Sequence, residues 1–406
     1  MRILLVTETV PYPLDSGGRI KTYHTLRALS AAHEVHCHAF VREAGQLAHA
    51  GVLDAICASV SLHLQPRSLA REILHAGRSV IRRLPLSVER HVSRAVHASI
   101  GAHHDAVGFD IVYCDHLSML EYARPLGVPI VHDAHNVEYR VMQRLAATSG
   151  WGPRRLLLER EWRLVRAYER RAYKECALIF AVSDEDAGEI RTLAGPRVPV
   201  EAVPIGVDVA AVSRRRDVGG RDLLFVGGLH WPPNADAAAY LVREIWPRVR
   251  QTYPDARLTI VGGRAPAHVD RELKADGVEL AGHVPDVEPY FARSGALAVP
   301  LRSGSGMRVK VLDAFARGVP VVATTLGAEG IEAVPGRHYL RADDAGTFAA
   351  HVCEVLGSPD AGEDLARRAL ELVRERYDVA LIGARQRELV GALAGPFTVP
   401  TKCDIQ

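Results

Sequence analysis

The feature that most constrains this chain is a repeated alternation of a short apolar run, a turn and an amphipathic segment. In the first half the runs are RILLVTE (2–8), EVHCHAF (34–40), FDIVYCD (109–115), VPIVHD (128–133), ALIFAVS (177–183) and VEAVP (200–204), with a long Arg/Glu-rich helical pattern over 154–175. The second half restarts the theme with DLLFVGG (222–228), ARLTIVGG (256–263), VELAGHV (278–284), ALAVP (296–300) and VPVVAT (319–324). Continuous apolar strands spaced by helices predict parallel sheets covered on both faces. A chain of 406 residues exceeds one ordinary domain and suits two. The polar, Gly-containing stretch after VEAVP breaks the alternation. The expected layout is therefore a first domain over 1–205, a linker over 206–221 and a second domain over 222–377. A C-terminal helix at 378–394 is expected to cross back to the first domain, ahead of a tail at 395–406. In such sheets a ligand lies beyond the carboxyl ends of the strands, so the loops after strands carry the chemistry, and the cleft between two such domains is the expected active site.

Charge and cysteine content narrow the classes. Fifty basic residues against 48 acidic ones leave a net charge of +2, which provides no field for nucleic acid. Six scattered cysteines without a CxxC pair predict packed, reduced thiols rather than a disulfide framework or a zinc site. The opening MRILLVTETVPYP is too short an apolar stretch for a signal-peptide core, and no segment reaches the roughly 18 apolar residues of a spanning helix. The expectation is a cytoplasmic protein, peripheral at the inner face of a membrane. Residues 67–94 carry seven Arg and two Glu with apolar residues interleaved, a composition suited to a membrane surface, a lipid-linked acceptor or a solvated helical face.

Four loops hold candidate site residues. Gly17-Gly18 lies between a strand and an amphipathic helix, where backbone amides can approach a phosphate. VPIVHDAHNVEYR places His132 and His135 after a strand, beside Asp133, Asn136 and Glu138, where a histidine can donate, accept or hold a metal. In FVGGLHWPPNADA, Gly228 follows the strand, Asn234 is expected as a helix N-cap and Trp231 as a loop plug. The last is PLRSGSGMRVKVLDAFARGVP, in which Gly304, Ser305, Gly306 and Met307 lead into a helix bearing Arg308, Lys310 and Asp313. Cations are normally disfavoured at a helix start, which already carries partial positive charge. That combination predicts a polyvalent anion, with Asp313 one turn on for a ribose: a nucleoside diphosphate. The competing reading pairs the basic residues with Asp313 inside the helix. Asp184-Glu185-Asp186 resembles a metal-binding DxD but opens a helix, where acidic residues are favoured.

Together these segments resemble the retaining glycosyltransferases of family 4, which have the GT-B fold of two Rossmann-like α/β domains. The likeness spans nearly the whole chain and is strongest over 222–331. It places His135 at the family's active-site histidine, Gly17-Gly18 at its N-terminal glycine loop, and Gly282, His283 and Val284 at the segment that meets the nucleotide base. Two departures stand out. The family's paired glutamates fall on Ser305 and Asp313, and its diphosphate-neutralising Arg and Lys fall on Gly228 and Pro233. Arg308 and Lys310 are the expected replacements, giving a subgroup pattern of GSGxRxK followed by L(E/D)A. The resemblance implies metal-independent transfer of a sugar from a nucleoside-diphosphate donor to a small-molecule, lipid-linked or glycan acceptor. His135, Arg308 and Lys310 would be catalytic and the remaining loop residues donor-binding. Rival readings are a sugar-nucleotide epimerase, an inactive donor-binding protein, and an NAD-dependent dehydrogenase, the last lacking the glycine fingerprint.

Overall fold

The computed structural model describes residues 1–213, 220–304 and 306–393. The chain divides into two compact units, Met1–Pro204 together with the chain from Ile382 onward, and Ile205–Leu381.

The first unit is built on a seven-stranded parallel sheet: β1 (Arg2–Thr7), β2 (Glu34–Val41), β3 (Ser59–Leu64), β4 (Ile111–Asp115), β5 (Ile130–Ala134), β6 (Leu178–Ala181) and β7 (Val200–Ala202), in the order β3-β2-β1-β4-β5-β6-β7. Along β1, Ile3 and Leu5 enter one core and Leu4 and Val6 the other, because successive side chains point to opposite faces. A sheet buried on both faces needs apolar residues at every position, and β1 supplies them. The strand β3 was not expected from sequence. It lies at the sheet edge, half-buried along most of its length, so its polar residues interrupt the apolar run that marks an inner strand.

The second unit carries a six-stranded parallel sheet: β8 (Asp222–Val226), β9 (Arg257–Val261), β10 (Val278–Gly282), β11 (Ala296–Val299), β12 (Val321–Ala323) and β13 (Leu340–Arg341), in the order β10-β9-β8-β11-β12-β13. The two-residue edge strand β13 is too short to leave a sequence signal. Both sheets have the doubly wound order expected from the alternation of apolar runs.

Residues 206–213, expected as linker, belong instead to the second unit. Val207 is 5% exposed in that unit's core and donates its backbone N–H to the Tyr377 carbonyl at 2.8 Å. Val209 and Val212 pack partly buried against the same core. Residues 214–219, the tail and Ser305 lie outside the described residues. The last helix, Val379–Gly391, passes to the first unit at Ile382. There Gln386 donates to Thr25 Oγ1 at 3.2 Å and to Tyr113 Oη at 3.3 Å, and Val390 is fully buried beside Ile3 and Leu5. Five cysteines are free thiols, four of them buried, and Cys403 lies outside the described residues. Among the described residues no helix is long and apolar enough to cross a membrane.

Candidate active site

In each sheet the strand order reverses at one place, between β1 and β4 and between β8 and β11. Loops leaving the two strands of such a pair diverge and open a crevice at their carboxyl ends. The site residues gather at these two places.

In the first unit β4 ends in Asp115 and continues into His116, whose φ of +78° is the left-handed region that non-glycine residues seldom occupy. The Asp115 carboxylate is buried and collects four donors. Thr7 Oγ1 reaches it at 2.6 Å, Thr22 Oγ1 at 2.8 Å, His135 Nε2 at 2.6 Å and His116 Nδ1 at 3.0 Å. The two imidazoles stack with centroids 4.0 Å apart. Gly18 lies against them, in the first turn of the helix Gly17–Ser30. A Cβ there would stand 3.5 Å from His135 Nδ1 and 3.8 Å from His116 Nε2. The glycine therefore leaves both outer ring nitrogens facing the helix N-terminus. Beneath this layer Lys21 pairs with buried Asp133, which also accepts from Tyr113 Oη at 2.7 Å.

The electrostatics divide the two rings. Burial would raise the Asp115 carboxyl, but the His116 charge and the hydrogen bonds from His135 and His116 hold it well below the usual range. Burial disfavours a charged His116, yet Asp115 overrides it and lifts its pKa to about 10. His135 moves the other way, lowered by burial and by the neighbouring His116 charge. His116 is thus an imidazolium at neutral pH and His135 a neutral ring. With Nε2–H given to Asp115, His135 keeps an accepting lone pair on Nδ1, while His116 offers a charged donor at Nε2. One acceptor and one cationic donor, side by side, suit a sugar hydroxyl next to an anionic oxygen. Glu138, at the start of the helix Glu138–Thr148, is raised to about 7 by burial and by Glu8.

Asp115, His116 and His135 present ligand atoms within 4.8 Å of one another, the group among the described residues with metal-binding spacing. His116 Nδ1 and His135 Nε2 each hydrogen-bond the Asp115 carboxylate.

In the second unit three strand-end loops are packed through glycines. A Cβ on Gly262 would fall 1.9 Å from the Gly227 carbonyl oxygen, and one on Gly263 would fall 2.8 Å from the His283 Cβ. Gly282 has a φ of +69° and accepts from the Gly262 N–H at 2.8 Å, so the chain turns sharply into His283 and partly buried Val284. Lys310, in the helix Val309–Arg317, reaches across to the loop after β8. Its Nζ donates to Asn234 Oδ1 at 3.0 Å, lies 5.1 Å from the Phe225 ring centroid, and stands 2.7 Å from where a Gly227 Cβ would be. Burial and the nearby Arg308 charge lower its pKa to about 7.

Asn234 is not the N-cap. Trp231 stands at the N-cap position of the helix Pro232–Tyr240 without a side-chain capping bond, and the two prolines form its first turn, where a fixed φ and a missing N–H suit helix initiation. Freed from capping, Asn234 gives Nδ2–H to the Gly228 carbonyl at 3.1 Å and holds Lys310 with its oxygen. Trp231, expected to plug the loop, is 49% exposed.

Arg308 is turned inward, donating to the Leu326 carbonyl at 3.1 Å and standing 3.6 Å from Glu329. Gly304 and Gly306, both at positive φ, let the loop pass close over it, and Met307 packs on Gly330. Asp313 does not pair with Lys310. Its carboxylate lies 3.0 Å from Arg317, which also binds Glu288, and burial raises its pKa. The intrahelical pairing that would have made Lys310 a mere surface cation is therefore absent. His132 is structural, buried in β5 with Nδ1 against the Cys114 carbonyl, and burial lowers its pKa to about 4. Asp184-Glu185-Asp186 opens a helix capped by Ser183, as expected.

Residues 16–211 match the model described as Glycosyltransferase Family 4, and residues 220–358 match that of Glycosyl transferases group 1. The chain belongs to the GT-B glycosyltransferases. Within that family it is similar to a Klebsiella pneumoniae protein described as an uncharacterized 44.6 kDa protein in the cps region, at 25% identity over 390 residues, 93% of this chain and 96% of that protein. It is also similar to the glycogen synthase of Mycobacterium tuberculosis, at 28% identity over 62% of this chain and 60% of that protein. Among solved structures, sucrose-phosphate synthase from Thermosynechococcus elongatus superposes with a TM-score of 0.69 at 16% identity, covering 97% of this chain and 99% of that one. Anabaena HepE in complex with UDP and glucose superposes with a TM-score of 0.68 at 13% identity, covering 97% and 100%. At such identities the structural likeness establishes the GT-B fold.

For this GT-B chain the sequence singled out His135, Gly18, Asn234 and Lys310, which the two units place at their switch points. It passed over Asp115 and His116 as site residues, and named Glu138 only as a neighbour of His135. The signal for the first two was available: YCDH ends its strand in Asp-His as VHDAH ends its neighbour.

Proposed function

We propose that this protein transfers a glycosyl group from a nucleoside-diphosphate sugar to an acceptor hydroxyl, with retention of configuration and without a metal ion. The observation that carries this reading is Lys310, a cation brought from the helix after β11 to the glycine loop after β8, where the family's own cations are replaced by Gly228 and Pro233. The diphosphate lies on that loop, against Lys310 and the amides preceding the helix Val309–Arg317. Negative charge grows on it as the bond from the anomeric carbon to the β-phosphate oxygen breaks, and preorganised donors stabilise that charge. The acceptor oxygen forms the new bond to the anomeric carbon, and its proton passes to the departing phosphate oxygen. Arg308 raises the local positive potential from behind, and Asp313 faces the ribose. In the first unit His135 Nδ1 accepts from a hydroxyl of the transferred sugar, and His116 Nε2–H donates beside it. A UDP-bound structure and a glycogen synthase among the similar proteins support a nucleotide-sugar donor. The acceptor is a small molecule, a lipid-linked saccharide or a glycan, the last two being consistent with membrane contact through residues 67–94. The protein acts at the cytoplasmic face.

A thermal-shift panel of UDP, GDP, dTDP and ADP in the presence of EDTA tests this reading, since a ligand of the native state raises the melting temperature. One nucleotide is expected to shift the wild type, and the shift to vanish in Arg308→Ala/Lys310→Ala. No shift with any nucleotide, or an unchanged shift in the double variant, contradicts it. Slow donor hydrolysis by the wild type separates a transferase from an inactive donor-binding protein.

A further inference from the structure

A second feature of the first unit lies apart from the Asp115 cluster. A cavity of about 940 Å³ lies beyond the carboxyl ends of β1, β2 and β3, bounded by the helix Leu69–Arg82 and the segment that follows it. Its size is that of a site for a substantial ligand. Its lining is strongly one-sided in charge, with seven arginines against three glutamates. Two of the three acids are already neutralised, Glu89 by Arg82 at 2.8 Å and Glu72 by Arg90 at 2.7 Å. Arg42, just past β2, feels three further cations, Arg67, Arg19 and Arg90, and one anion, Glu8. Two buried nitrogens in the wall, Nε of Arg90 and Nδ1 of His75, have no hydrogen-bond partner within the protein. An unpaired buried guanidinium N–H beside excess positive charge favours an anion.

The same helix presents apolar residues outward. Leu69, Ile73, Val80 and Ile81 are 79, 65, 63 and 84% exposed, at the spacing that places them along one side of a helix. Leu74 and Ile81 also line the cavity, so the apolar strip runs into it. Glu8, just past β1, is among the lining residues, and its carboxyl is held low, against burial, by the charges of His91 and His116 and by Ser118. The cavity is thus lined by part of an exposed apolar helix face, by arginines, and by Glu8, which interacts with His116 at the switch point.

We propose that this cavity is the acceptor site, and that the acceptor is a lipid-linked saccharide with a phosphate or diphosphate between its sugar and its hydrocarbon chain. This rests on the glycosyl-transfer reading. Arginine forks match phosphate oxygens and keep their charge at any physiological pH, which suits the middle of such a molecule. The chain lies along Ile81 and its apolar neighbours, and these with the surrounding arginines seat the helix on an anionic membrane surface. The saccharide end points to Glu8 and to the histidine pair, where its hydroxyl is presented to the donor.

The test is calorimetric titration of the full chain with geranylgeranyl diphosphate below its critical micelle concentration, compared with inorganic diphosphate, geranylgeraniol and phosphatidylglycerol vesicles. Saturable binding of the lipid diphosphate, at least tenfold tighter than either half alone, is expected. Arg42→Gln and Arg90→Gln should each weaken it at least fivefold. Ile81→Ser, at an exposed position that folding tolerates, should weaken the lipid diphosphate and leave inorganic diphosphate unchanged. Equal binding of lipid and inorganic diphosphate, indifference to the arginine substitutions, or binding to vesicles without saturable binding of the lipid diphosphate each overturns the proposal. A nucleotide thermal shift that persists while the lipid diphosphate fails to bind sinks the acceptor assignment alone. Lipid binding in a protein that ignores every nucleotide overturns the transferase reading and the acceptor assignment with it.

Discussion

Lys310 illustrates how one residue can be read through its surroundings. Its ammonium has an amide oxygen, a ring face and a nearby arginine for company, and burial leaves it half-charged near pH 7. A polyvalent anion placed against it would restore the full charge. Replacing Lys310 by Met should weaken nucleotide affinity by tenfold to a hundredfold, since a hydrogen bond to a charged group contributes roughly 1.5–3 kcal/mol; equilibrium titration checks this. Asp115 works in the opposite sense, as a buried anion that two histidines require. Its depressed pKa contributes stability present at neutral pH and lost as pH falls through the folded value. His116, raised to about 10, contributes stability that is complete below its ordinary value of about 6.5 and lost as pH rises through about 10. These two contributions are therefore fully present together between about pH 4 and pH 6.5, and the His116 part declines above that. Asp115→Asn should cost about 3–5 kcal/mol within that window by leaving His116 without its counter-charge, and should flatten the pH dependence of urea unfolding. Stability unchanged between pH 5 and 9 in that variant, at wild-type level, would remove the histidine pair from the account.

At the scale of elements, the parallel strands were legible because a strand covered on both faces must be apolar throughout, and the runs at 2–8, 222–228 and 296–300 are. Edge strands β3 and β13 escape that rule, being half-wetted or too short. Turn chemistry was less legible. A Pro-Pro pair reads equally as a stop before a helix or as its first turn, and only the backbone shows that Trp231 takes the N-cap position and releases Asn234 to hold Lys310. Likewise Asp115 and His116 lie far from His135 in sequence, and nothing short of the β4–β5 pairing brings them together. The glycine-packed loops of the second unit carry their own expectation. Gly262→Ala forces a methyl group onto the Gly227 carbonyl oxygen and should destabilise the protein by about 3 kcal/mol, more than most overpacked sites, because backbone cannot rotate away. Gly227→Ala meets the ends of the Lys310 and Asn234 side chains instead, not backbone. It should lower nucleotide affinity with little change in the urea midpoint. Urea titration and nucleotide binding on both variants separate the two effects.

Across the whole molecule the chain leaves the first unit once and returns to it once. The return helix completes the first unit, since Val390 is fully buried among residues of β1 and β2 and Gln386 bridges Thr25 and Tyr113. Val390→Asp should therefore destabilise the first unit by at least about 3 kcal/mol, the consequence of burying an unpaired polar group. Hydrogen exchange should show protection falling over 2–8 and 34–41 while the nucleotide response of the second unit survives. The division of labour within the family reading rests on that independence.

The central claim is that Lys310 receives a diphosphate, and proton uptake on binding reads it directly. Near pH 8 a lysine of pKa about 7 is largely neutral, so an incoming polyanion must draw a proton onto it. Calorimetric titration of the preferred nucleoside diphosphate in buffers of different ionisation enthalpy measures that uptake. An uptake approaching one proton in the wild type, and close to none in Lys310→Met, is the result expected. Binding of normal affinity with no proton uptake, or the same uptake in both proteins, would place the diphosphate away from Lys310 and contradict the account.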